Sequence, residues 1–193
     1  CVRSLMEQTL QEVEYIFVDD ATPDKSIEVL ERCLALYPDR KTEILHHSQN
    51  KGLPAARNTG LQVATGKYIF HCDSDDYANV DMLENLYIEA VGKDADIVWC
   101  DWFLTFQSRE RYMKQPSFST PMEALKAMLS GGMKYNVWNK LVRRSLYTNN
   151  DLSAMVYQKE NSLLSILALP NNKRDLLDFS SYRTADKFSD LVT

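Results

Sequence analysis

The sequence has few of the residues that build thiolate metal sites and disulfide frameworks, and it lacks the long apolar runs that span membranes. It contains four cysteines in 193 residues, and none of them forms a CxxC pair. A zinc site therefore has no support, and reduced thiols in a cytosolic protein are the favoured interpretation. No apolar run approaches the ~20 residues that cross a bilayer, and no signal-peptide pattern opens the chain. We therefore expect a cytoplasmic protein.

Basic residues are also in the minority. The chain has 22 Lys and Arg against 27 Asp and Glu, for a net charge of −5. This balance gives no support to nucleic acid as a partner, because phosphate backbones need a basic footprint. It leaves room for a local basic pocket that binds a small phosphate ligand. With 45% hydrophobic residues, the chain is predicted to fold as one domain of ordinary size.

Short apolar segments alternate with helical patterns along the first hundred residues. The predicted helices cover 22–37, 54–64 and 80–91. The predicted strands are Val13–Val18, Thr42–His46, Tyr68–Cys72 and Ala95–Cys100. The strands are nearly continuous in hydrophobicity, which indicates burial on both faces. The alternation predicts an α/β fold, with a mostly parallel sheet flanked by helices.

Both ends of the chain depart from this rhythm. Residues 1–6 have the pattern of the last turns of an amphipathic helix. Because such a helix normally follows a strand, we expect one N-terminal strand to be missing from this sequence. From Trp102 onward, helices are predicted at Pro121–Leu129, Asn136–Tyr147 and Gln158–Leu169. We interpret this second half as a helical C-terminal cap packed against the sheet.

Carboxylates follow two of the predicted strands, at Asp19-Asp20 and at Asp73-Ser74-Asp75-Asp76. Ligands bind beyond the carboxyl ends of parallel strands. On an extended strand Asp73 and Asp75 would point the same way, and carboxylates about 5 Å apart repel by roughly 3 kcal/mol at an effective dielectric near 20. Mn²⁺ or Mg²⁺ would offset this repulsion. The alternative is a solvated acidic turn that caps the next helix.

Arg57 lies in a helix that begins after a glycine-containing loop. A helix start and a guanidinium together suit an anion such as a diphosphate. The carboxylates of Asp19 and Asp20 could accept hydrogen bonds from a nucleobase or from ribose hydroxyls. The alternatives are an ordinary capped helix with a surface arginine, and helix capping by the two aspartates.

Several stretches, in a fixed order, resemble the motifs of the family-2 glycosyltransferases, which have a GT-A fold. The family's second-strand motif is similar to VDDATPD (18–24), its arginine-containing helix to GLPAARNTG (52–60), and its DXD motif to DSDD (73–76). Many polysaccharide-building members carry a stretch that resembles NVWNKLVRR (136–144). The family's first strand has no counterpart here.

The resemblance implies an enzyme that moves a sugar, with inversion, from a nucleotide-diphosphate donor, usually UDP-linked, to a glycan or lipid-linked acceptor. Asp20, with Asp19 beside it, would meet the nucleoside, and Arg57 would lie near the base or the diphosphate. Asp73 would contact ribose or the metal. Asp75 would be the principal ligand of Mn²⁺ or Mg²⁺, and Asp76 would support the metal or the donor sugar.

Residues 1–101 would then be the nucleotide-sugar-binding part, and 102–193 the acceptor-side cap and C-terminal tail. Trp138 could stack on an acceptor sugar or be a core residue of its helix. Family members often carry a Glu-Asp pair whose Asp is the catalytic base, and here the pair would be Glu160-Asn161. Glu160, Asp101 or Asp151 could replace it.

Two alternatives to an active glycosyltransferase stay open. The chain could be a truncated or inactive relative that acts as a binding partner, or a phosphoryl-transfer enzyme that uses Asp73 and Asp75. If the chain is an active transferase in surface polysaccharide synthesis, we expect the enzyme to act at the inner face of the plasma membrane. Arg143-Arg144 is the one hint of a peripheral membrane contact, and a solvated helix face is the favoured interpretation.

Overall fold

The computed structural model describes residues 1–106, 108–150 and 152, together with the backbone of 177–179. In these residues helices and strands alternate, which confirms the α/β expectation. The elements are α1 (Val2–Met6), β1 (Glu14–Asp19), α2 (Ser26–Leu34), β2 (Lys41–His46), α3 (Leu53–Val63), β3 (Tyr68–Phe70), α4 (Met82–Gly92), β4 (Ile97–Cys100), β5 (Trp102–Phe106), β6 (Arg109–Met113), α5 (Pro121–Leu129), β7 (Lys140–Arg143), α6 (Arg144–Thr148) and β8 (Leu177–Phe179). None of the helices described is long and apolar enough to span a bilayer.

The strands form three groups. β1 and β2 pair in parallel over six residues each. A four-stranded sheet has the order β3-β7-β4-β8, and β5 pairs with β6 in an antiparallel hairpin. In the four-stranded sheet, β7 runs antiparallel to both β3 and β4. The sheet is therefore mixed rather than mostly parallel, because a strand from the second half of the chain enters between two strands of the first half.

The helix expected at Asn136–Tyr147 is wrong, because β7 occupies its middle, at Lys140–Arg143. The apolar spacing of this segment suits a helix, but Leu141 and Val142 are buried inside the sheet instead. Asn139 fixes the start of β7 through two hydrogen bonds to Cys100. Its side-chain amide donates to the backbone carbonyl of Cys100 over 2.9 Å, and its backbone carbonyl accepts from the Cys100 N–H over 3.0 Å. Only α6, after β7, keeps a helical turn.

The core lies on both faces of β4, as the apolar strands predict. On one face Val98 and Cys100 pack with the buried side of α4, where Met82 and Leu86 are fully buried. On the other face Trp99 packs with α5 and its neighbours. A strand covered on both sides needs an apolar residue at every position, which is why its sequence is a continuous apolar run.

Side-chain hydrogen bonds lie at the starts of α2 and α5. α2 begins at Ser26, a turn later than expected, and Asp24, just before its N-cap Lys25, accepts from the Ser26 N–H over 2.8 Å. α5 has the predicted bounds, with the Thr120 hydroxyl accepting from the Glu123 N–H over 3.3 Å and the Glu123 carboxylate accepting from Ser119 over 2.9 Å. Such reciprocal capping satisfies donors that the first turn leaves free.

The β5–β6 hairpin was not expected from the sequence. β5 is almost entirely apolar and β6 is largely charged, so neither alternates cleanly, and most of their side chains are exposed. The part of 102–150 that is described thus adds strands as well as helices, and the expectation of a purely helical cap is wrong there. The helix expected at Gln158–Leu169 lies outside the described residues. The division at residue 101 stays a prediction.

Candidate functional site

The carboxylate of Asp20 holds the loop that leads into α3. It accepts hydrogen bonds from the backbone N–H groups of Lys51 and Gly52 over 2.8 and 2.7 Å. Gly52 has a φ of 85°, a left-handed conformation that favours glycine. His47 Nδ1 donates to Asp20 over 2.6 Å, and His47 Nε2 shares a hydrogen bond of 2.8 Å with the Thr59 hydroxyl. The bond from His47, followed by those from the loop, keeps the pKa of Asp20 below its ordinary value.

Asp19 is bonded more locally. It accepts from the Thr22 N–H over 2.8 Å and from His46 Nδ1 over 3.0 Å, and these two bonds lower the pKa of its carboxyl. The Thr22 contact fits the alternative that Asp19 shapes the approach to α2. An ionised carboxylate has about four acceptor positions, so Asp19 and Asp20 can each still accept from a ligand. Their nucleoside-binding role stays a prediction.

The acidic cluster lies on a turn, not on an extended strand. β3 ends at Phe70, and the Asp76 N–H donates to the Asp73 carbonyl over 3.1 Å. The strand-like alternation expected for Asp73 and Asp75 is therefore wrong. Asp and Ser favour turns because their short side chains bond to nearby backbone. The turn exposes Asp75, while Asp73 and Asp76 are partly covered.

The structure brings the arginine of α3 to this turn. Arg57 donates to the Asp73 carboxylate over 2.7 Å, and the two side chains are 22% and 29% exposed. His71 lies beside them, and its ring packs edge-on against Tyr147. Burial, with Arg57 next, lowers the pKa of His71 to about 4. His71 is thus neutral at pH 7, and the charge of Arg57 is balanced by Asp73.

The crowding of carboxylates is felt most by Asp76. Burial raises its pKa, and the nearby charges of Asp75 and Asp73 raise it further. In the part of the chain that is described, no cluster of three or more His, Cys, Asp or Glu forms a ready-made metal site. Mg²⁺ is usually held by one or two carboxylates plus substrate phosphates. The oxygen donors of Asp75 and its neighbours fit this kind of shared site.

A small crevice of about 10 Å³, which has room for about one water molecule, lies beside the turn. Its lining consists of Phe70, Cys72, Asp76, Tyr77, Ala78, Met82 and Trp138. Asp76 and Trp138, which are far apart in the sequence, therefore line the same crevice. Trp138 lies in the turn before β7, where its ring packs edge-on against Trp102 at 5.0 Å. The expected helix around Trp138 is absent, but its half-buried ring does border this site.

Of the candidate bases, Glu160 and Asp151 lie outside the described residues. Asp101 is fully buried. One of its oxygens accepts from the Tyr112 hydroxyl and the other from the Gln115 N–H over 2.5 Å. Both oxygens thus fasten the end of the hairpin, which favours a structural role. Sequence reasoning missed His47 and Thr59 as partners of Asp20, because their contact joins three separate segments and leaves no periodic signal.

The fold is that of the GT-A glycosyltransferases. A structure of S. aureus TarS 1-349 in complex with UDP aligns with a TM-score of 0.74 at 21% identity, over 94% of this chain and 54% of that one. The mannosyltransferase PcManGT from Pyrobaculum calidifontis, in complex with GDP-Man and Mn²⁺, aligns with a TM-score of 0.68 at 15% identity, over 96% and 51%. These likenesses establish the fold.

The sequence establishes the family. The model of Glycosyl transferase family 2 matches residues 1–153, so the chain belongs to that family. The relative named "Uncharacterized glycosyltransferase EpsJ", from Bacillus subtilis (strain 168), is 35% identical over 161 residues, which are 79% of this chain and 45% of that protein. The chain thus spans about half the length of the curated relatives it matches.

Proposed function

We propose that this chain carries the donor half of an inverting glycosyltransferase that uses a nucleotide-diphosphate sugar, with UDP as the nucleotide. The contact of Arg57 with Asp73 carries the proposal, because it joins the two motifs on one side of the sheet. Asp75 and Asp76 lie on the same turn. A fixed cation next to clustered carboxylates suits a ligand that has both a diphosphate and an associated metal.

In this proposal Asp20 and Asp19 bind the nucleoside, and Arg57 orients the diphosphate. Asp75, helped by Asp73, would hold Mn²⁺ or Mg²⁺, which when bound stabilises the negative charge that develops on the leaving diphosphate. Asp76 would support the donor sugar, because it borders the crevice that Trp138 shares. Trp138 would offer its ring face to an acceptor sugar. The base stays assigned to Glu160 as a prediction.

Two neighbours support the donor and the cation. TarS is described in complex with UDP, and PcManGT in complex with GDP-Man and Mn²⁺. We further propose a glycan or lipid-linked acceptor in surface polysaccharide synthesis, reached at the inner face of the plasma membrane. A relative named poly(ribitol-phosphate) beta-glucosyltransferase, from Bacillus spizizenii, gives this acceptor class its support.

The test is titration calorimetry of the chain with UDP, with and without Mn²⁺. We expect Asp75→Ala to weaken Mn²⁺-dependent UDP binding by about 100-fold or more, since loss of an outer-shell partner of a metal ligand alone costs 10–100-fold. Asp81→Ala is the matched control, because Asp81 is exposed and its side chain does not cap α4. UDP binding that is equal in the parent and in Asp75→Ala would refute the metal role of Asp75.

The second candidate is a relative that binds the donor without transferring the sugar. The bonding of Asp101 favours this candidate. Both of its carboxylate oxygens already accept hydrogen bonds, and no other described residue is assigned as the catalytic base. UDP-sugar hydrolysis distinguishes the candidates. Release of UDP from a UDP-sugar by the parent chain, and its loss in Asp75→Ala, would support an enzyme. UDP binding without any release would support the binding partner.

A further inference from the structure

A second cleft, of about 190 Å³, lies at the opposite end of β3 from the acidic turn. It is lined by Lys67, Arg143, Arg144, Ser145 and Thr148. Because β7 runs antiparallel to β3, with Arg143 opposite Tyr68, the residues that end β7 meet the residue that precedes β3. Asp73 follows the other end of β3. The cleft is thus separate from the proposed donor site.

The three cations of this cleft are not equivalent. Arg143 is already paired with two carboxylates, since it donates to Asp94 over 2.7 Å and to Asp96 over 2.6 Å, and one negative charge of this group stays in excess. Lys67 and Arg144 have no carboxylate within 4.0 Å among residues 1–106 and 108–150. Because one of the two carboxylates beside Arg143 is in excess, Lys67 and Arg144 leave one net positive charge at the cleft among the described residues, although the chain as a whole is acidic.

Neighbouring groups hold these cations in place. Arg144 Nε donates to the Gly66 carbonyl over 2.7 Å, which orients its guanidinium. Lys67 Nζ lies 5.6 Å from the centre of the Tyr68 ring, whose other contacts include Arg143 at 5.2 Å and the edge-on ring of Tyr87. A cation over an aromatic face is attracted by the ring, and an oriented guanidinium loses less entropy when it binds an anion.

We propose that this cleft binds a phosphate group, either free phosphate or the phosphate of an anionic lipid headgroup. Lys67 and Arg144 supply the positive charge, and the hydroxyl of Ser145 supplies a further donor, whereas the hydroxyl of Thr148 already donates to Asn149 Oδ1 over 3.4 Å. The guanidinium fork of Arg144 matches the geometry of phosphate oxygens. The paired Arg143 forms the wall and adds little to the attraction.

The first test is calorimetric titration of the full chain with inorganic phosphate at low salt. In Lys67→Glu we expect binding about tenfold weaker, the size expected when one exposed cation is reversed. The control is Lys126→Glu, which makes the same charge change at an exposed lysine of α5, an element that does not line the cleft. Both variants change exposed side chains, so both should unfold at the temperature of the parent.

The second test separates the two sources of phosphate by sedimentation with vesicles, either neutral or containing an anionic phospholipid. Anionic-vesicle binding that Lys67→Glu loses, without measurable binding of free phosphate, assigns a lipid headgroup. Phosphate binding without vesicle binding assigns a soluble phosphate. An equal loss in Lys126→Glu, or no loss in Lys67→Glu in either assay, would overturn the proposal. UDP binding, measured alongside, should be the same in Lys67→Glu and the parent.

Discussion

The carboxylate of Glu14 ties two sheets together, and its removal is the sharpest test of how this fold is held. It accepts hydrogen bonds from the backbone N–H groups of Thr65 and Gly66, each over 2.6 Å, and from Lys41 Nζ over 2.9 Å. Thr65 and Gly66 lead into β3, while Glu14 and Lys41 start the β1–β2 pair. Among the described strands these two sheets share no ladder, so Glu14 bridges a junction that backbone pairing leaves open.

The contribution of Glu14 to the free energy of unfolding follows from the shift of its pKa. Burial disfavours the ionised carboxylate, but the bonds from Lys41, Thr65 and Gly66 outweigh burial and lower the pKa of Glu14 from 4.5 to about 2. At 1.36 kcal/mol per unit, this shift corresponds to an upper value of about 3.4 kcal/mol. Lys41 is 71% exposed, so solvent and salt screen its share, and we expect Glu14→Gln to cost about 1.5–2 kcal/mol at pH 7.

The direction of the Glu14 pKa shift determines the pH range in which its stabilisation is lost. A carboxyl with a lowered folded pKa stabilises the protein above its unfolded pKa, and this contribution is lost as the pH falls from about 4.5 towards 2. The assay is urea unfolding of the parent and Glu14→Gln between pH 7 and pH 3. The difference in unfolding free energy should shrink as the pH falls, to about 40% of its pH 7 value or less at pH 3.

The control for this series is Glu43→Gln, on the exposed side of β2, which should change stability by less than about 0.5 kcal/mol. A Glu14→Gln variant as stable as the parent at pH 7 would show that the junction does not depend on this carboxylate. A difference that is independent of pH would refute the ionic origin of the effect.

Two further substitutions test the core and the hairpin. Met82→Ala removes a fully buried side chain of α4 and should lower the free energy of unfolding in urea by about 2–5 kcal/mol. The control, Met122→Ala, changes a residue that is 57% exposed on α5 and should cost far less. Equal losses in the two variants would refute the packing described for α4. Asp101→Ala leaves the buried N–H of Gln115 without its acceptor and should lower the free energy of unfolding by about 1–3 kcal/mol. Its effect should be smaller in a Tyr112→Phe background, because both variants remove the same hydrogen bond between Tyr112 and Asp101. Fully additive losses would contradict that hydrogen bond.

The elements of the first hundred residues could be predicted because their signals are local. β1, β3 and β4 are short, largely apolar runs, and α3 and α4 repeat their apolar residues at helical spacing close to the observed bounds. β2 has only two apolar residues, Ile44 and Leu45, and is mostly exposed, so the burial on both faces expected for it is wrong. The positions of Asp20 and Asp73 after strands follow from the same runs. Family membership also followed from short motifs in order. Local patterns of this kind depend on chain geometry alone.

The second half could not be predicted as well, because its elements depend on distant partners. β7 has a helix-compatible spacing and becomes a strand only because the open edges of β3 and β4 accept its backbone hydrogen bonds. The β5–β6 hairpin lacks a clean alternation, since most of its side chains face solvent. Tertiary pairing overrides local preference in such segments.

The candidate site shows the same division. The sequence by itself determined which residue types gather beyond the strands: carboxylates after β1 and β3, and an arginine in α3. Only the tertiary structure decided their partners, which are His47 and the Gly52 loop for Asp20, Arg57 for Asp73, and the shared crevice for Asp76 and Trp138. The physical reason is that the end of a strand depends on residues adjacent in the sequence, whereas an ion pair or a crevice forms only when distant segments of the chain fold together.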